Sequence, residues 1–344
     1  MSPPRAVILG CAGEALSAAE RDFFAAVDPL GFIVFARNCR APEQLRDLVS
    51  ELRASVGRAE APVLIDQEGG RVQRLRPPHW RDTPAALRFG ALYAVDPRAA
   101  RDAARLNARL IAEDLQSVGI DVDCLPVLDL PCEGAHEVIS DRAYGSDPAR
   151  VADLGRAVCE GLLAGGVLPV IKHIPGHGRA TVDSHLALPR VATPLAELRT
   201  SDFAPFRALN DMPIAMTSHV VYEALDDQAP ATTSARVIEE TIRRDIGFGG
   251  LLLSDDISMQ ALSGGLAERT AAALAAGCDA VLHCDGDAAE MEAVAEAAGP
   301  MSAAAMRRFQ ECRDRLTRPE PLDRRDAEQK LAGLLGQAAG ERQG

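Results

Sequence analysis

Short apolar segments alternate with longer amphipathic segments along most of the chain. The apolar segments are bounded by polar residues, glycine or proline, and they predict buried strands. These strands are expected at residues 6–9, 31–35, 62–65, 120–128, 168–171, 213–216, 250–253 and 278–283. The segments between them carry alanines and apolar residues at helical spacing, which predicts helices. These helices are expected at residues 16–27, 42–56, 98–117, 151–164, 235–245 and 266–276.

Eight strands that alternate with helices are the count of a (β/α)8 TIM barrel, an α/β fold. A doubly wound open sheet is the structural alternative, but no G-x-G-x-x-G pattern follows the first predicted strand. We therefore expect a single barrel domain over residues 1–317, in which residues 303–316 form a closing helix. Residues 318–344 are expected to form a peripheral C-terminal helix or a tail.

Composition and charge exclude some classes of protein and of partner. A hydrophobic content of 47% with 25% charged residues is ordinary for a globular protein with a sizeable core. A net charge of −13, with basic residues clustered only in pairs, argues against a nucleic-acid partner. We find neither a secretory signal nor an apolar run long enough for a membrane helix, so we expect a cytoplasmic protein without a membrane partner. The sequence leaves the oligomeric state open.

The eight cysteines show no C-x-x-C pair and no spacing typical of a zinc site. They are expected to be free thiols, which suits a reducing compartment.

Polar side chains follow most of the predicted strands. In a barrel the C-terminal strand ends share one face, so these side chains should converge there although they are distant in sequence. The residues concerned are Asp66, Arg142, Lys172, His173, His219 and Asp255.

The densest group of reactive side chains follows the fifth predicted strand. Lys172 and His173 end that strand, and the PGHG segment at residues 175–178 cannot continue a strand or a helix. Asp183 then lies two residues before His185. A nearby carboxylate can hold a histidine ring in one tautomer and favour its protonated form. Several such groups close to a strand end indicate a functional site.

Five ordered motifs between residues 31 and 286 carry a specific resemblance. They are DQEGGRVQR at residues 66–74, DR at 141–142, KHIPGHG at 172–178, DSHLALP at 183–189 and SDDISM at 254–259. Together they closely resemble the β-N-acetylhexosaminidases of glycoside hydrolase family 3, and more narrowly the single-domain cytosolic type that acts in bacterial cell-wall recycling. One position departs from the family pattern, because Ile174 stands where an aromatic residue is expected.

The resemblance implies a retaining, exo-acting enzyme that releases non-reducing terminal β-linked N-acetylglucosamine from a sugar or muropeptide substrate. It implies no cofactor and no metal. By the same resemblance Asp255 is the nucleophile, His185 is the general acid and base, and Asp183 orients His185. The residues implied to bind the terminal sugar are Asp66, Arg74, Arg142, Lys172 and His173.

The chemistry of the side chains agrees with these roles. A retaining glycosidase needs a carboxylate that attacks the anomeric carbon and a proton donor at the leaving oxygen. Histidine, with an unperturbed pKa of about 6.5, can be that donor. Adjacent residues of a strand point to opposite sides, so only one of Asp255 and Asp256 is expected to face the sugar. Asp256 is then expected to cap or to bind the next loop.

Two further expectations concern the loops. Arg74 is either a sugar ligand or a structural partner of Glu68. Gly176, Gly178 and Pro189 predict a loop that moves as a lid and brings His185 to the site when sugar is bound.

Four other functions are compatible with parts of the sequence. The histidines favour a metal-dependent barrel hydrolase, which sensitivity to chelators would reveal. The histidines concerned are His173, His177, His185 and His219. Lys172 at a strand end favours a Schiff-base aldolase, which borohydride would trap. A non-catalytic sugar-binding barrel and a β-glucosidase of the same family are separated from the main hypothesis by assays with chromogenic glycosides.

Overall fold

Eight parallel strands close into a barrel in the computed structural model, which describes residues 3–132, 134, 139–184 and 186–340. The barrel strands are β1 (Arg5–Leu9), β2 (Pro29–Val34), β3 (Val63–Ile65), β4 (Val122–Asp123), β5 (Leu168–Ile174), β7 (Ile214–Thr217), β9 (Leu251–Asp256) and β10 (Ala280–His283). Because β1 pairs with both β2 and β10, this sheet has no open edge. The prediction of a TIM barrel is confirmed, and the doubly wound alternative is wrong. Two short strands, β6 (Arg190–Val191) and β8 (Val221–Tyr222), pair outside the barrel.

Helices surround the barrel. They are α1 (Ala18–Val27), α2 (Pro42–Ser55), α3 (Ala86–Tyr93), α4 (Pro97–Ser117), α5 (Pro148–Ala164), α6 (Leu195–Thr200), α7 (Phe203–Ala208), a π-helix (Val237–Asp245), α8 (Leu266–Ala276), α9 (Ala288–Ala298), α10 (Ala303–Arg313) and α11 (Arg324–Gly340). The predicted helices lie within a few residues of these bounds. The sequence pattern missed α3, α6, α7 and α9, because α6 and α7 are only six residues long, α3 has only eight residues, and α9 is poor in large apolar residues.

The fourth strand is shorter than predicted. Residues 120–128 form an apolar segment, but regular pairing is limited to β4, followed by one isolated bridge between Val127 and Lys172. Pro126 lies between these two parts and has no N–H to donate to a neighbouring strand. The chain after β4 is therefore irregular, and it carries Asp129 to the C-terminal face of the barrel.

The core has an inner and an outer layer. In β1, Ile8 packs inside the barrel, whereas Val7 and Leu9 pack between strand and helices. This alternation follows from the two-residue period of a strand. Phe309 and Cys312 of α10 pack with the inner layer, so the predicted closing helix covers the N-terminal end of the barrel.

The C-terminal segment forms α11, which packs against α3 and α4. Leu331 and Leu335 are buried there, and Arg324 pairs with Asp114 at 2.7 Å. The sequence had left open whether this segment is a helix or a tail. Within the described residues no helix is both long and apolar enough to cross a bilayer.

A buried carboxylate joins three elements at the N-terminal end of the barrel. Asp279 directly precedes β10, and it pairs with Arg243 of the π-helix at 2.9 Å and with Arg308 of α10 at 2.7 Å. It also accepts a hydrogen bond from the backbone N–H of Leu252 at 2.9 Å. Because two partly buried cations pair with it, removal of this carboxylate leaves them uncompensated.

We predict that Asp279→Ala lowers the free energy of unfolding by about 3 kcal/mol, because it breaks a buried ion pair. The matched control is Glu240→Ala, which removes an exposed pair with Arg236 and should cost less than about 0.5 kcal/mol. Urea denaturation of both variants measures the difference. Equal stability of the two variants would contradict a structural role for Asp279.

Candidate active site

A polar cavity of about 350 Å³ opens at the C-terminal ends of the strands. Seven of the eight site residues expected from the sequence line it, namely Asp66, Arg74, Arg142, Lys172, His173, Asp183 and Asp255. The eighth, His185, lies outside the described residues. Residues from the ends of β3, β5 and β9 and from their following loops therefore meet in one place, as expected for a barrel.

Ion-paired side chains form one wall of the cavity. The Lys172 ammonium lies between two carboxylates, 2.8 Å from Asp66 Oδ1 and 2.7 Å from Glu68 Oε1. Arg142 donates two hydrogen bonds to Glu68, from Nε and from Nη2, each at 2.8 Å. Arg74 binds the other oxygen of Asp66 at 3.0 Å. The alternative that Arg74 is a structural partner of Glu68 is therefore wrong, because Arg74 pairs with Asp66 while Glu68 pairs with Arg142 and Lys172.

These pairs fix the charge state of the wall. Burial alone would raise the pKa of the Asp66 and Glu68 carboxyls, but the neighbouring cations outweigh it and hold both pKa values below the usual range. Burial would lower the pKa of the Lys172 ammonium, but the two carboxylates raise it above its usual range. Lys172 is therefore a cation at neutral pH. A Schiff base needs the neutral amine, so this environment disfavours the aldolase alternative.

The sequence analysis named Glu68 only as a possible partner of Arg74 and not as a site residue, although a signal was available. It follows Asp66 by two residues, and in an extended chain residues two apart face the same side. Its side chain is buried, which is rare for a glutamate unless it is paired.

A second buried carboxylate orients a histidine. Asp129 is fully buried, and its Oδ2 lies 2.6 Å from Nδ1 of His173. Its Oδ1 accepts hydrogen bonds from the backbone N–H groups of His173 at 3.2 Å and of His177 at 2.7 Å. This arrangement places Nε2 of His173 4.0 Å from Oδ2 of Asp255. Asp129 was also missed, because it lies in the irregular segment beyond Pro126.

The environment of Asp255 favours a charged carboxylate. Burial alone would raise its pKa, but His173, His219 and the backbone N–H of Asp256 hold the pKa below the usual range. That N–H donates to Asp255 Oδ1 at 2.8 Å. Asp255 is therefore ionised at neutral pH.

Asp256 also lines the cavity. The Asp256 carboxylate is nevertheless engaged elsewhere. It accepts hydrogen bonds from the backbone N–H of Ser258 at 3.0 Å and from its hydroxyl at 2.7 Å. It also accepts one from the backbone N–H of Cys284 at 3.4 Å. It thus binds the next loop, as the sequence indicated.

His219, which follows β7, was expected to line the cavity but does not. His219 is fully buried, and its ring lies 2.7 Å from Thr232 Oγ1 and 2.9 Å from the carbonyl oxygen of Asp256. Burial lowers its pKa. Through its contact with Asp256 it helps to fix the end of β9. Among the described residues no three histidine, cysteine or acidic side chains come together in a way that could hold a metal ion.

The loop after β5 forms another wall of the cavity, to which Asp183, Ser184 and His177 contribute. The carbonyl oxygen of Asp183 accepts hydrogen bonds from the N–H groups of Leu186 at 2.9 Å and of Ala187 at 3.0 Å. Ile174, the departure from the family pattern, is fully buried in the outer core.

Comparisons with known proteins agree with this geometry. The model of the glycosyl hydrolase family 3 N-terminal domain matches residues 15–318. A β-hexosaminidase of Alkalilimnicola ehrlichii is 41% identical over 283 residues, which cover 81% of this chain and 80% of that protein. A β-hexosaminidase of Bordetella avium is 38% identical over 289 residues, covering 82% of this chain and 81% of that protein.

Solved structures give the same result. Native NagZ from Neisseria gonorrhoeae is similar to this chain with a TM-score of 0.87 and 34% identity, covering 97% of this chain and 98% of that one. NagZ from the same organism in complex with N-trifluoroacetyl-D-glucosamine gives a TM-score of 0.86 and 33% identity, covering 98% and 99%. The chain therefore belongs to glycosyl hydrolase family 3, as one of its β-N-acetylhexosaminidases.

Proposed function

We propose that this enzyme is a retaining, exo-acting β-N-acetylglucosaminidase that works through a covalent intermediate on Asp255. The observation that carries the proposal is the position of the Asp255 carboxylate, at the end of β9 and in a small polar cavity. The cavity volume of about 350 Å³ is near the lower end of the range for small-molecule sites, which suits a single terminal sugar.

The wall of ion pairs would bind the sugar hydroxyls. Asp66 has acceptor oxygens, and Lys172, Arg74 and Arg142 have N–H donors, so neighbouring hydroxyls could be bound through both kinds of contact. Because these side chains are already paired with one another, they are in place before the substrate binds. The loss of conformational entropy on binding is therefore smaller. The Neisseria gonorrhoeae NagZ complex contains N-trifluoroacetyl-D-glucosamine, which is likewise an N-acylated glucosamine.

The reaction would occur in two steps. In the first, an oxygen of Asp255 attacks the anomeric carbon, the glycosidic C–O bond breaks, and protonated His185 gives its proton to the leaving oxygen. In the second, a water molecule attacks the same carbon, gives a proton to His185 and releases Asp255. Asp183 would orient His185 and favour its protonated form.

The physiological substrate is proposed to be a muropeptide fragment, hydrolysed in the cytoplasm during peptidoglycan recycling. The resemblance of the motifs to the recycling type of the family supports this proposal. The eight cysteines, none of which forms a disulfide, also suit a reducing compartment. Release of N-acetylglucosamine from purified muropeptides tests it, and failure to release the sugar while a chromogenic glycoside is cleaved would contradict the substrate but not the chemistry.

We predict that the enzyme cleaves 4-nitrophenyl β-N-acetylglucosaminide at least about 100-fold more efficiently, in kcat/KM, than the corresponding β-glucoside, because the acetamido group offers polar contacts that a glucoside lacks. EDTA should leave the rate unchanged. Preference for the glucoside would favour the β-glucosidase alternative, and loss of activity in EDTA that added metal restores would favour the metal-dependent one.

We predict that Asp255→Asn lowers kcat at least about 1,000-fold with little change in melting temperature, because the amide cannot form the intermediate. Asp47→Asn, at an exposed position of α2, controls for the same chemical change. In Asp255→Ala, added azide should restore turnover and give the α-glycosyl azide, since azide attacks from the side that the carboxylate left open. An Asn variant with near-normal activity would overturn the assignment.

A further inference from the structure

Two buried polar side chains of the cavity have no part in the proposed reaction. His177 and Ser184 are 4% and 3% exposed, and Nε2 of His177 lies 3.1 Å from Oγ of Ser184. His177 was considered from the sequence only as a possible metal ligand. Ser184 is the residue between Asp183 and His185, so this contact joins the loop of the acid–base pair to the end of β5.

The position of His177 is fixed by contacts other than the one with Ser184. Its backbone N–H donates to Asp129 Oδ1 at 2.7 Å, and the same carboxylate binds the ring of His173. The two imidazole rings meet edge to face, with centroids 5.6 Å apart. Asp129 thus orients the His173 ring and fixes the backbone of His177, and the contact between the rings places the His177 ring next to His173, which faces Asp255.

Ser184 is tied to the site at a second point. Its carbonyl oxygen accepts a hydrogen bond from the backbone N–H of Ala261 at 3.1 Å. Ala261 follows the strand end that carries Asp255 by a few residues. Ser184 is therefore connected through its side chain to His177, just beyond the end of β5, and through its backbone to the segment after Asp255.

The protonation of His177 suits this contact. Its Nδ1 is buried without a hydrogen-bond partner among the described residues, and an unpaired lone pair in the interior is less unfavourable than an unpaired N–H. The neutral ring therefore carries its proton on Nε2 and donates it to Ser184 Oγ. Burial and the neighbouring His173 lower the pKa of His177 to about 4, so the ring stays neutral across the physiological range.

We propose that the hydrogen bond from His177 Nε2 to Ser184 Oγ positions Asp183, the neighbour of Ser184 that lines the cavity, relative to Asp255. His177 and Ser184 are thus positioning residues, which act through Asp183 and its proposed role in the reaction and not on the substrate. The inference rests on the acid–base roles proposed above for Asp183 and His185. It also differs from the lid expected from the sequence, since it assigns the docked position of the loop to one side-chain contact.

The expected effect of losing this contact is larger on the rate than on stability. A neutral hydrogen bond contributes on the order of 1 kcal/mol to stability, but displacement of a catalytic group by about 1 Å can lower the rate by about 100-fold. Poor leaving groups need the proton more than 4-nitrophenol does. Ser184→Ala should therefore lower kcat by about 10- to 100-fold for an alkyl β-N-acetylglucosaminide and by less than about 3-fold for the nitrophenyl glycoside, with KM nearly unchanged.

The experiment combines hydrogen exchange with kinetics on Ser184→Ala, His177→Leu, the double variant and His177→Gln, which keeps a donor near the place of Nε2. Leu186→Ala, a 71% exposed position of the same loop, is the matched control. We expect faster amide exchange over residues 179–190 in the first three variants, little change in His177→Gln and Leu186→Ala, and a double variant no worse than either single one. Thermal unfolding confirms that each variant is folded.

The positioning contact would be contradicted if amide exchange over residues 179–190 were unchanged in Ser184→Ala, or if the losses of kcat in the two single variants added in the double variant. Either result would count against it whatever the reaction is. The acid–base roles are tested separately by Asp183→Ala on the same two substrates. Equal losses on both substrates in that variant would contradict those roles, and with them the part of the inference that concerns the pair.

Discussion

The burial of Lys172 between Asp66 and Glu68 is the interaction on which the cavity depends. A lysine this deeply buried is stable as a cation only if carboxylates compensate the lost hydration. Two carboxylates do so, and Arg74 and Arg142 bind their remaining oxygens. The cluster joins the end of β3 to the end of β5 and to the turn at Ser140–Arg142, so the geometry of the wall is set by paired charges and not by apolar packing.

The charges of this cluster also affect the proposed nucleophile. Three cations and two carboxylates leave one positive charge on the wall, and Lys172 contributes to the lowered pKa of Asp255. Fixed charges in a buried site act more strongly than in water. The same ion pairs that would bind sugar hydroxyls therefore help to keep Asp255 ionised, which links binding and chemistry in one structural feature.

The sequence predicted the positions of strands and strand ends well, because buried parallel strands have a strong apolar signal and polar residues mark where they end. Asp66, Lys172, His173 and Asp255 were found in this way, and the barrel brought them together. Side-chain pairing was less predictable. The partner of Arg74 and the burial of His219 depend on distances across the barrel, which a linear pattern does not contain.

Glu68 and Asp129 show which features of the site the sequence did not predict. Glu68 could have been recognised from its two-residue spacing to Asp66, but the sequence does not indicate that it pairs with Arg142. Asp129 lies beyond Pro126, in a segment without regular periodicity, so nothing in its neighbourhood indicated that it would bind two histidines. Its role arises from tertiary contacts alone, and through His177 it extends to Ser184 and the loop of the acid–base pair.

Trapping of the intermediate tests the central proposal most directly. The enzyme would be treated with a slow fluorinated N-acetylglucosamine donor, digested and analysed by mass spectrometry for the modified peptide, while the configuration of the product formed from a normal substrate is followed by NMR. We predict a sugar adduct on Asp255 and a product that retains the β configuration. An adduct on another residue, or a product of inverted configuration, would contradict the assignment of Asp255 as the nucleophile.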